Sequence, residues 1–257
     1  MKISTHRVLV LLAAVLLVFG IVQTAAAESV IDYTSCSVIA SSEFGRREAV
    51  HTIDGTGMNP VEGSYGATHS GYANPNDIAW HTSYDPRGIV EHAWLIIDLG
   101  DSYSVDSINI WNYNHEGGID GETPAGELAR GVKEFNLWIR NDGTTGNNAQ
   151  NSNLAFDSNG WTQIGSTNSL QPGTGFDDYV GQIFALDGNA THVAIDILSN
   201  HDGTVVYHGE DPYELFDAYG PLVGLSEVRV YADAVPEPST LALLILVGCM
   251  GLLKRVR

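Results

Sequence analysis

The sequence predicts an all-β fold, a β-sandwich or jelly roll of about eight antiparallel strands. Between residues 28 and 235, short segments alternate apolar and polar residues and are rich in β-branched and aromatic side chains, which is typical of strands with one buried face. Segments rich in Gly, Asn, Asp and Pro separate them and are typical of turns. Many short strands without helical patterns between them indicate a sandwich.

The chain begins with a segment that has the features of a secretory signal peptide. Lys2 and Arg7 provide a positively charged start, residues 8–22 are apolar, and residues 25–27 are three alanines. This order of charge, apolar run and small residues is typical of a cleavable signal. We expect cleavage after Ala27 and export across the inner membrane; a signal anchor that is never cut is the alternative.

Six segments of the exported chain carry the strand pattern most clearly. They are residues 92–100, 104–114, 132–140, 181–186, 191–198 and 225–232. The first is a compact apolar run closed by Gly100, and the second alternates imperfectly, which is consistent with a bulge. In the third, Phe135, Leu137 and Ile139 lie on one face of the predicted strand.

Two connections, residues 55–78 and 201–223, are longer than ordinary loops. Structureless connections beyond about 12–15 residues are usually functional or disordered. Both segments contain aromatic and charged residues. We therefore predict ordered binding loops, with disorder in one of them as the alternative.

The charge of the chain restricts its partners. Five of the 12 basic residues lie in the two terminal segments, while all 31 acidic residues lie between Glu28 and Glu237. Seven basic residues against 31 acidic ones give this central segment a formal charge of −24. Such a charge repels nucleic acid and anionic lipid, so no nucleic-acid partner is expected.

The chain ends in a segment that predicts a sorting signal. Pro236, Glu237 and Pro238 interrupt regular structure, residues 241–253 are apolar, and basic residues close the chain. As a helix the apolar run spans roughly 20 Å, less than the roughly 30 Å hydrocarbon core of a membrane. This order resembles the PEP-CTERM sorting signal of bacteria. The resemblance implies a short C-terminal hydrophobic helix, inserted transiently in the inner membrane and processed by an exosortase-type enzyme; a permanent anchor is the alternative.

A series of short motifs follows in order along the predicted sandwich. It consists of AVHTIDG (49–55), Trp80, WLIIDLG (94–100), INIWNYN (108–114), RGVKEF (130–135) and GLSEVRVY (224–231). Together these motifs resemble the discoidin family, also called the coagulation factor 5/8 type C domain. The resemblance implies a galactose-binding-like jelly roll over residues 28–232, between the signal peptide (1–27) and the sorting signal (233–257). In that family, loops at one end of the sandwich bind glycans, lipid head groups or protein partners.

The discoidin resemblance also implies a structural calcium ion, which many sugar-binding members hold. Carried onto this sequence, the ligands are the carboxylates of Asp54 and Glu227, with the backbone of Thr56 as a further ligand. Oxygen ligands suit calcium, which takes roughly six to eight of them. The sequence departs from the family at Asn59, where members commonly carry Thr or Ser. The alternative is that Asp54 caps a turn and Glu227 pairs with a neighbouring base.

A sugar site on a β scaffold combines an aromatic surface with planar hydrogen-bonding side chains. The best candidates for ligand binding lie at two predicted strand ends and in the segment before them. They are Asn112, Asn114, His115 and Arg130, with His69, Trp80 and His81. We expect the two strand ends to lie together; for Arg130 an internal ion pair with a carboxylate is the alternative.

The sequence contains none of the common catalytic motifs. It has no His-Glu-x-x-His zinc motif, no Gly-x-Ser-x-Gly elbow and no phosphate-binding loop. We therefore favour a non-enzymatic module that binds a glycan or exopolysaccharide, or serves in adhesion, at the cell envelope, outer surface or extracellular matrix. Two alternatives stay open: a structural matrix protein that contacts protein partners without a sugar pocket, and a glycoside hydrolase with an unrecognised carboxylate pair.

Overall fold

The structure, a computed structural model, describes residues 28–72, 76–83, 93–115, 127–143, 155–158, 160–202 and 222–233. The predicted signal peptide and the sorting tail with Pro236, Glu237 and Pro238 lie outside the described residues, as do residues 203–221 of the second long connection. Within the described part, no helix is long and apolar enough to cross a membrane. Residues 29–232 form one compact unit.

The described residues of this unit form eleven strands. The strands are β1 (Glu28–Val30), β2 (Ser37–Ala40), β3 (Met58–Asn59), β4 (Thr68–His69), β5 (Trp80–His81), β6 (Ala93–Asn112), β7 (Val132–Arg140), β8 (Thr162–Ser169), β9 (Tyr179–Val180), β10 (Gln182–Asn200) and β11 (Gly224–Asp233). Single 3₁₀ turns lie at Tyr33–Ser35, Ala49–Thr52 and Phe156–Ser158.

Eight of these strands form one sheet and three form a second. The larger sheet runs in the order β1-β11-β6-β10-β7-β8, with β2 added to β6 and β5 added to β11, and the smaller one runs β3-β4-β9. The partners of β6, β10 and β7 are antiparallel, and so are β3, β4 and β9. The predicted all-β, antiparallel architecture is confirmed.

Strands β6 and β10 are much longer than the segments predicted for them, with 20 and 19 residues. They pair with each other from Gln182↔Ile110 to Ile197↔Ala93. The first part of β6 also pairs with β2, its last part with β11, and the last part of β10 with β7. One half of the sandwich thus contains β2, the first part of β6, the last part of β10, β7 and β8, and the other contains β1, β11, the last part of β6 and the first part of β10. Strands β6 and β10 belong to both halves.

Gly100, predicted to close a strand, instead lies within β6. Its φ is +78°, and a Cβ there would lie 2.5 Å from the carbonyl oxygen of Ser35. Only glycine fits such a conformation and such an approach. The chain thus continues through Gly100 from one half of the sandwich into the other.

Alternating side chains from both halves meet in a single buried core. Its central members are Leu95, Ile97, Leu99, Ile108, Ile110, Phe135, Leu137, Ile195, Ile197, Val228 and Val230. The predicted shared face of Phe135, Leu137 and Ile139 is confirmed, since all three are buried while their neighbours along β7 are more exposed. On the opposite face of the sheet, Trp94 packs with Phe156 and Trp161.

The first long connection covers the outer face of β6 and β11. Trp111 packs against Met58, Ala67 and Tyr179, and its indole N–H donates to the carbonyl of Ala67 at 3.1 Å. Within the described residues this connection forms β3 and β4. These contacts place its described residues over the sheet, and a binding role for the segment stays a prediction.

Candidate functional site

Four strands meet at one end of the sandwich, where the sequence placed the candidate ligand-binding residues. Strand β5 pairs with the start of β11 through Gly224↔His81. Gly131, just before β7, forms a bridge with the same Gly224, and Tyr72 forms a bridge with His115 just after β6. The expected meeting of the strand ends is therefore observed.

Aromatic and charged side chains fill this end of the sandwich. We call Tyr72, His81, Tyr113, His115, Glu127 and Arg130 the strand-end cluster. The ring of Tyr113 lies 5.8 Å from that of His81 and 6.0 Å from that of His115, centroid to centroid. The Glu127 carboxylate lies 2.6 Å from Nη1 of Arg130 and 3.4 Å from Nδ1 of His115. The alternative foreseen for Arg130, an internal ion pair, is what the contacts show.

Burial determines the protonation state of His81. Its side chain is fully buried, and this burial, with the charges of Arg47 and Arg130, holds the pKa of His81 well below its ordinary value. Nδ1 lies 2.9 Å from the Thr82 carbonyl oxygen, so Nδ1 carries the proton and donates it. Nε2 is then a buried acceptor without a hydrogen-bond partner in the described structure.

Asn112 uses its side chain to hold neighbouring backbone. Its amide nitrogen donates to the carbonyls of Val132 and Gln171, both at 2.8 Å, and its Oδ1 accepts the N–H of Tyr113 at 2.9 Å. Trp80 behaves in the same way, because its indole N–H donates to the Ser42 carbonyl at 2.9 Å. Both side chains are fully buried, so the contacts show a positioning role, and a direct ligand contact stays a prediction.

Asn114 fixes the loop 171–178 to the end of β6. Its Oδ1 accepts the backbone N–H groups of Thr174 at 2.9 Å and Gly175 at 2.7 Å. Its amide nitrogen donates to the carbonyls of Phe176 at 2.9 Å and His69 at 3.2 Å. All four hydrogen bonds of this buried side chain are therefore made to backbone, and three of them hold the same loop.

The loop 171–178 presents an aromatic residue that sequence reasoning missed. The Phe176 side chain is 70% exposed, although the backbone beneath it is tightly packed: a Cβ on Gly71 would lie 2.2 Å from the carbonyl oxygen of Gly175. Asp177 and Asp178, next in the chain, are also exposed. A Phe between Gly and Asp in a turn segment was the available signal, but it reads equally well as an ordinary turn.

The residues that the discoidin resemblance assigns to calcium lie together where residues 54–56 meet β11. Oδ1 of Asp54 accepts the N–H of Thr56 at 2.8 Å, and Oδ2 lies 2.8 Å from Nδ1 of His51. Oε2 of Glu227 accepts the N–H of Gly55 at 3.2 Å, and Oε1 accepts a hydrogen bond from Nη1 of Arg229.

Arg229 also binds the backbone around these carboxylates. Its guanidinium donates to the carbonyls of Ile53 at 2.9 Å, Val61 at 3.3 Å and Glu62 at 3.3 Å. We call residues 53–63 with Glu227 the cradle. Because the guanidinium of Arg229 already lies among these oxygens and brings a positive charge there, the cradle does not fit a calcium ion. Among the described residues, no group of three or more His, Cys, Asp or Glu side chains is placed to hold a metal.

Several solved structures resemble this fold. The family 32 carbohydrate-binding module of Clostridium perfringens NanJ, in complex with galactose, is 16% identical with a TM-score of 0.44, over 79% of this chain and 98% of that one. An F5/8 type C domain from Bacteroides fragilis is 12% identical with a TM-score of 0.44, over 81% of this chain and 98% of that one. A family 89 glycoside hydrolase from Clostridium perfringens is 17% identical with a TM-score of 0.38, over 80% of this chain and 15% of that one.

No protein-family model matches the sequence, and no curated protein matches it significantly. At 12–17% identity, the similarity to solved structures concerns the fold alone and identifies no ligand for this chain.

Proposed function

We propose that residues 28–232 form a non-enzymatic module that binds a glycan through the loop 171–178. The observation that carries this function is the exposure of Phe176 on a loop held by a buried asparagine. A flat apolar ring can cover the C–H face of a sugar, and this contact is favourable because it removes apolar surface of both partners from water.

The neighbours of Phe176 restrict the kind of glycan. Asp177 and Asp178 are exposed beside the ring, and ionised carboxylates accept hydrogen bonds from hydroxyl groups. The same carboxylates, on a chain of formal charge −19, repel uronates and sulfated sugars. The module therefore suits an uncharged glycan, such as a neutral exopolysaccharide.

The fixed backbone of the loop contributes to affinity. Three hydrogen bonds with the Asn114 side chain, two accepted and one donated, hold residues 174–176 before a ligand binds. A preorganised loop loses little conformational entropy on binding. Asn112 and Asn114, whose side chains bind the backbone of this loop, act as positioning residues.

Replacing Phe176 by alanine is expected to weaken binding of the best neutral glycan by about tenfold, which corresponds to roughly 1.4 kcal/mol of lost stacking and burial. A glycan array identifies the ligand, and titration calorimetry compares the variants. Ile183→Ala is the matched control, since Ile183 is 51% exposed and lies on β10. Equal affinities of wild type and Phe176→Ala would contradict the proposal, as would an array without any bound glycan.

A second function is favoured by the exposed apolar side chains next to the loop. Val180 and Ile183 are 49% and 51% exposed and follow Phe176 closely in sequence. Such side chains also suit a protein contact, as in a structural matrix protein. In that case Ile183→Ala weakens self-association in sedimentation experiments, whereas a purely glycan-binding module stays monomeric in both forms.

We propose further that the protein is exported and sorted to the cell envelope, outer surface or extracellular matrix. The support is the sequence alone: the N-terminal signal-like segment, and Pro236, Glu237 and Pro238 before an apolar run and a basic end. We expect the mature protein from its host to begin near Glu28 and to end near Pro238, as read by intact mass. A mature chain that still ends in Arg257 would contradict processing by an exosortase-type enzyme.

A further inference from the structure

We infer that the guanidinium of Arg229 is the resident cation of the cradle and takes the place that a calcium ion would have beside Glu227 and the loop carbonyls. The protein therefore folds and keeps this loop closed without calcium. This inference rests on the contacts of the cradle and does not depend on glycan binding.

The first support is the number of oxygens that converge on a single side chain. Arg229 donates to the Glu227 carboxylate, to the three loop carbonyls of Ile53, Val61 and Glu62, and to the carbonyl of Val228 at 3.1 Å. One carboxyl group and several inward carbonyls form the kind of oxygen shell that hard cations use. Here the planar fork of a guanidinium, with five N–H donors, satisfies this shell.

The second support is the burial of the charge. The Arg229 side chain is 1% exposed and that of Glu227 is fully buried. A buried charge is retained only when it is paired and hydrogen-bonded. On the remaining side, the guanidinium carbon lies 4.5 Å from the centre of the Tyr33 ring, a favourable cation–π contact.

The third support is the shape of the loop, which follows the arginine. A Cβ on Gly63 would lie 2.7 Å from Cγ of Arg229, and one on Gly55 would lie 3.1 Å from Nη2. Both glycines have positive φ, +68° and +79°, which side chains rarely adopt. The loop backbone therefore approaches Arg229 along its length, and Tyr231 fastens the end of the loop by donating to the Gly63 carbonyl at 2.7 Å.

The experiment compares melting temperatures in calcium chloride and in EDTA. For the wild type we expect superimposable melting curves. If the protein did bind calcium, a free calcium concentration of about 100 times the dissociation constant would raise the Tm by roughly 5–10 °C. Arg229→Ala is expected to lower the Tm by on the order of 10 °C, because it leaves Glu227 and the loop carbonyls buried and unpaired. Arg46→Ala is the control, since Arg46 pairs with Asp77 at the exposed surface and should shift the Tm by only a few degrees.

Two results would overturn the inference. One is a calcium-dependent rise of the wild-type Tm that Glu227→Gln abolishes, since calcium would then occupy the cradle. The other is an unchanged Tm for Arg229→Ala. If Arg229→Ala does not fold at all, Arg229→Lys supplies a charged variant with fewer hydrogen-bond donors. Its Tm is expected to be lower than that of Arg46→Ala and to be the same in calcium and in EDTA.

Discussion

Replacing Asn114 by alanine is expected to lower the free energy of unfolding by about 3–5 kcal/mol and to release the loop 171–178. The truncation leaves the N–H groups of Thr174 and Gly175 and the carbonyls of Phe176 and His69 without their partner. Each buried group left unsatisfied costs about 1–3 kcal/mol, less where water reaches it. Urea denaturation of the variant measures the loss.

Asn141→Ala is the matched control for this substitution. Asn141 is exposed and accepts a single hydrogen bond from Ser102, so its removal should change stability by less than about 0.5 kcal/mol. If Asn114→Ala keeps wild-type stability but loses glycan binding, Asn114 contacts the ligand directly. That outcome would restore the prediction from sequence and contradict the positioning role.

Acid is expected to destabilise the protein strongly, because two buried histidines are neutral in the folded state. Burial lowers the pKa of His69 to about 4 and that of His81 well below its ordinary value. The unfolded chain takes up these protons near pH 6.5, whereas the folded chain does not. Their contribution to stability is therefore complete above pH 6.5 and is lost as the pH falls toward 4.

Between pH 7 and pH 4.5, His69 alone should account for a loss of about 2–3 kcal/mol, at about 1.4 kcal/mol per unit of pH. Burial raises the pKa of Glu227, which acts with the opposite sign, so the His69 share is best isolated by comparison with a variant. His69→Gln retains a donor for the Ser70 carbonyl and should lose correspondingly less stability over this range. The free energy of unfolding is measured by urea titration at each pH for both proteins. If it fell in parallel for both, His69 would take up its proton equally in the folded and unfolded states, and the prediction would be wrong.

The strands were predictable from sequence because their signal is local. Phe135, Leu137 and Ile139 alternate within a few positions, and that alternation suffices to place them on one buried face. The continuation of β6 through Gly100 was not predictable in the same way. Glycine commonly ends a strand, and only the distant Ser35 carbonyl shows why it is needed inside one.

The candidate site was less predictable because it depends on contacts between distant segments. The resemblance to discoidin brought Asp54 and Glu227 into consideration, yet no motif indicates that Arg229, two positions further, turns toward the loop 53–63. Likewise, the polar residues near β6 have the composition of a sugar site, but Asn112 and Asn114 are buried and bonded to the backbone of the loop 171–178. The exposure of Phe176 follows from the way Asn114 holds this loop, and no local sequence pattern indicates it.

The length of β6 and β10 has a consequence for the order in which the chain matures. Residues 93–112 need residues 182–200 as a partner along almost their whole length, and synthesis runs from the N-terminus. At about 5–20 residues per second, several seconds separate the appearance of these two segments, during which β6 has β2 beside it but no central neighbour. A nascent chain in this interval has no finished core, so the sandwich closes only after residues 182–200 have been synthesised.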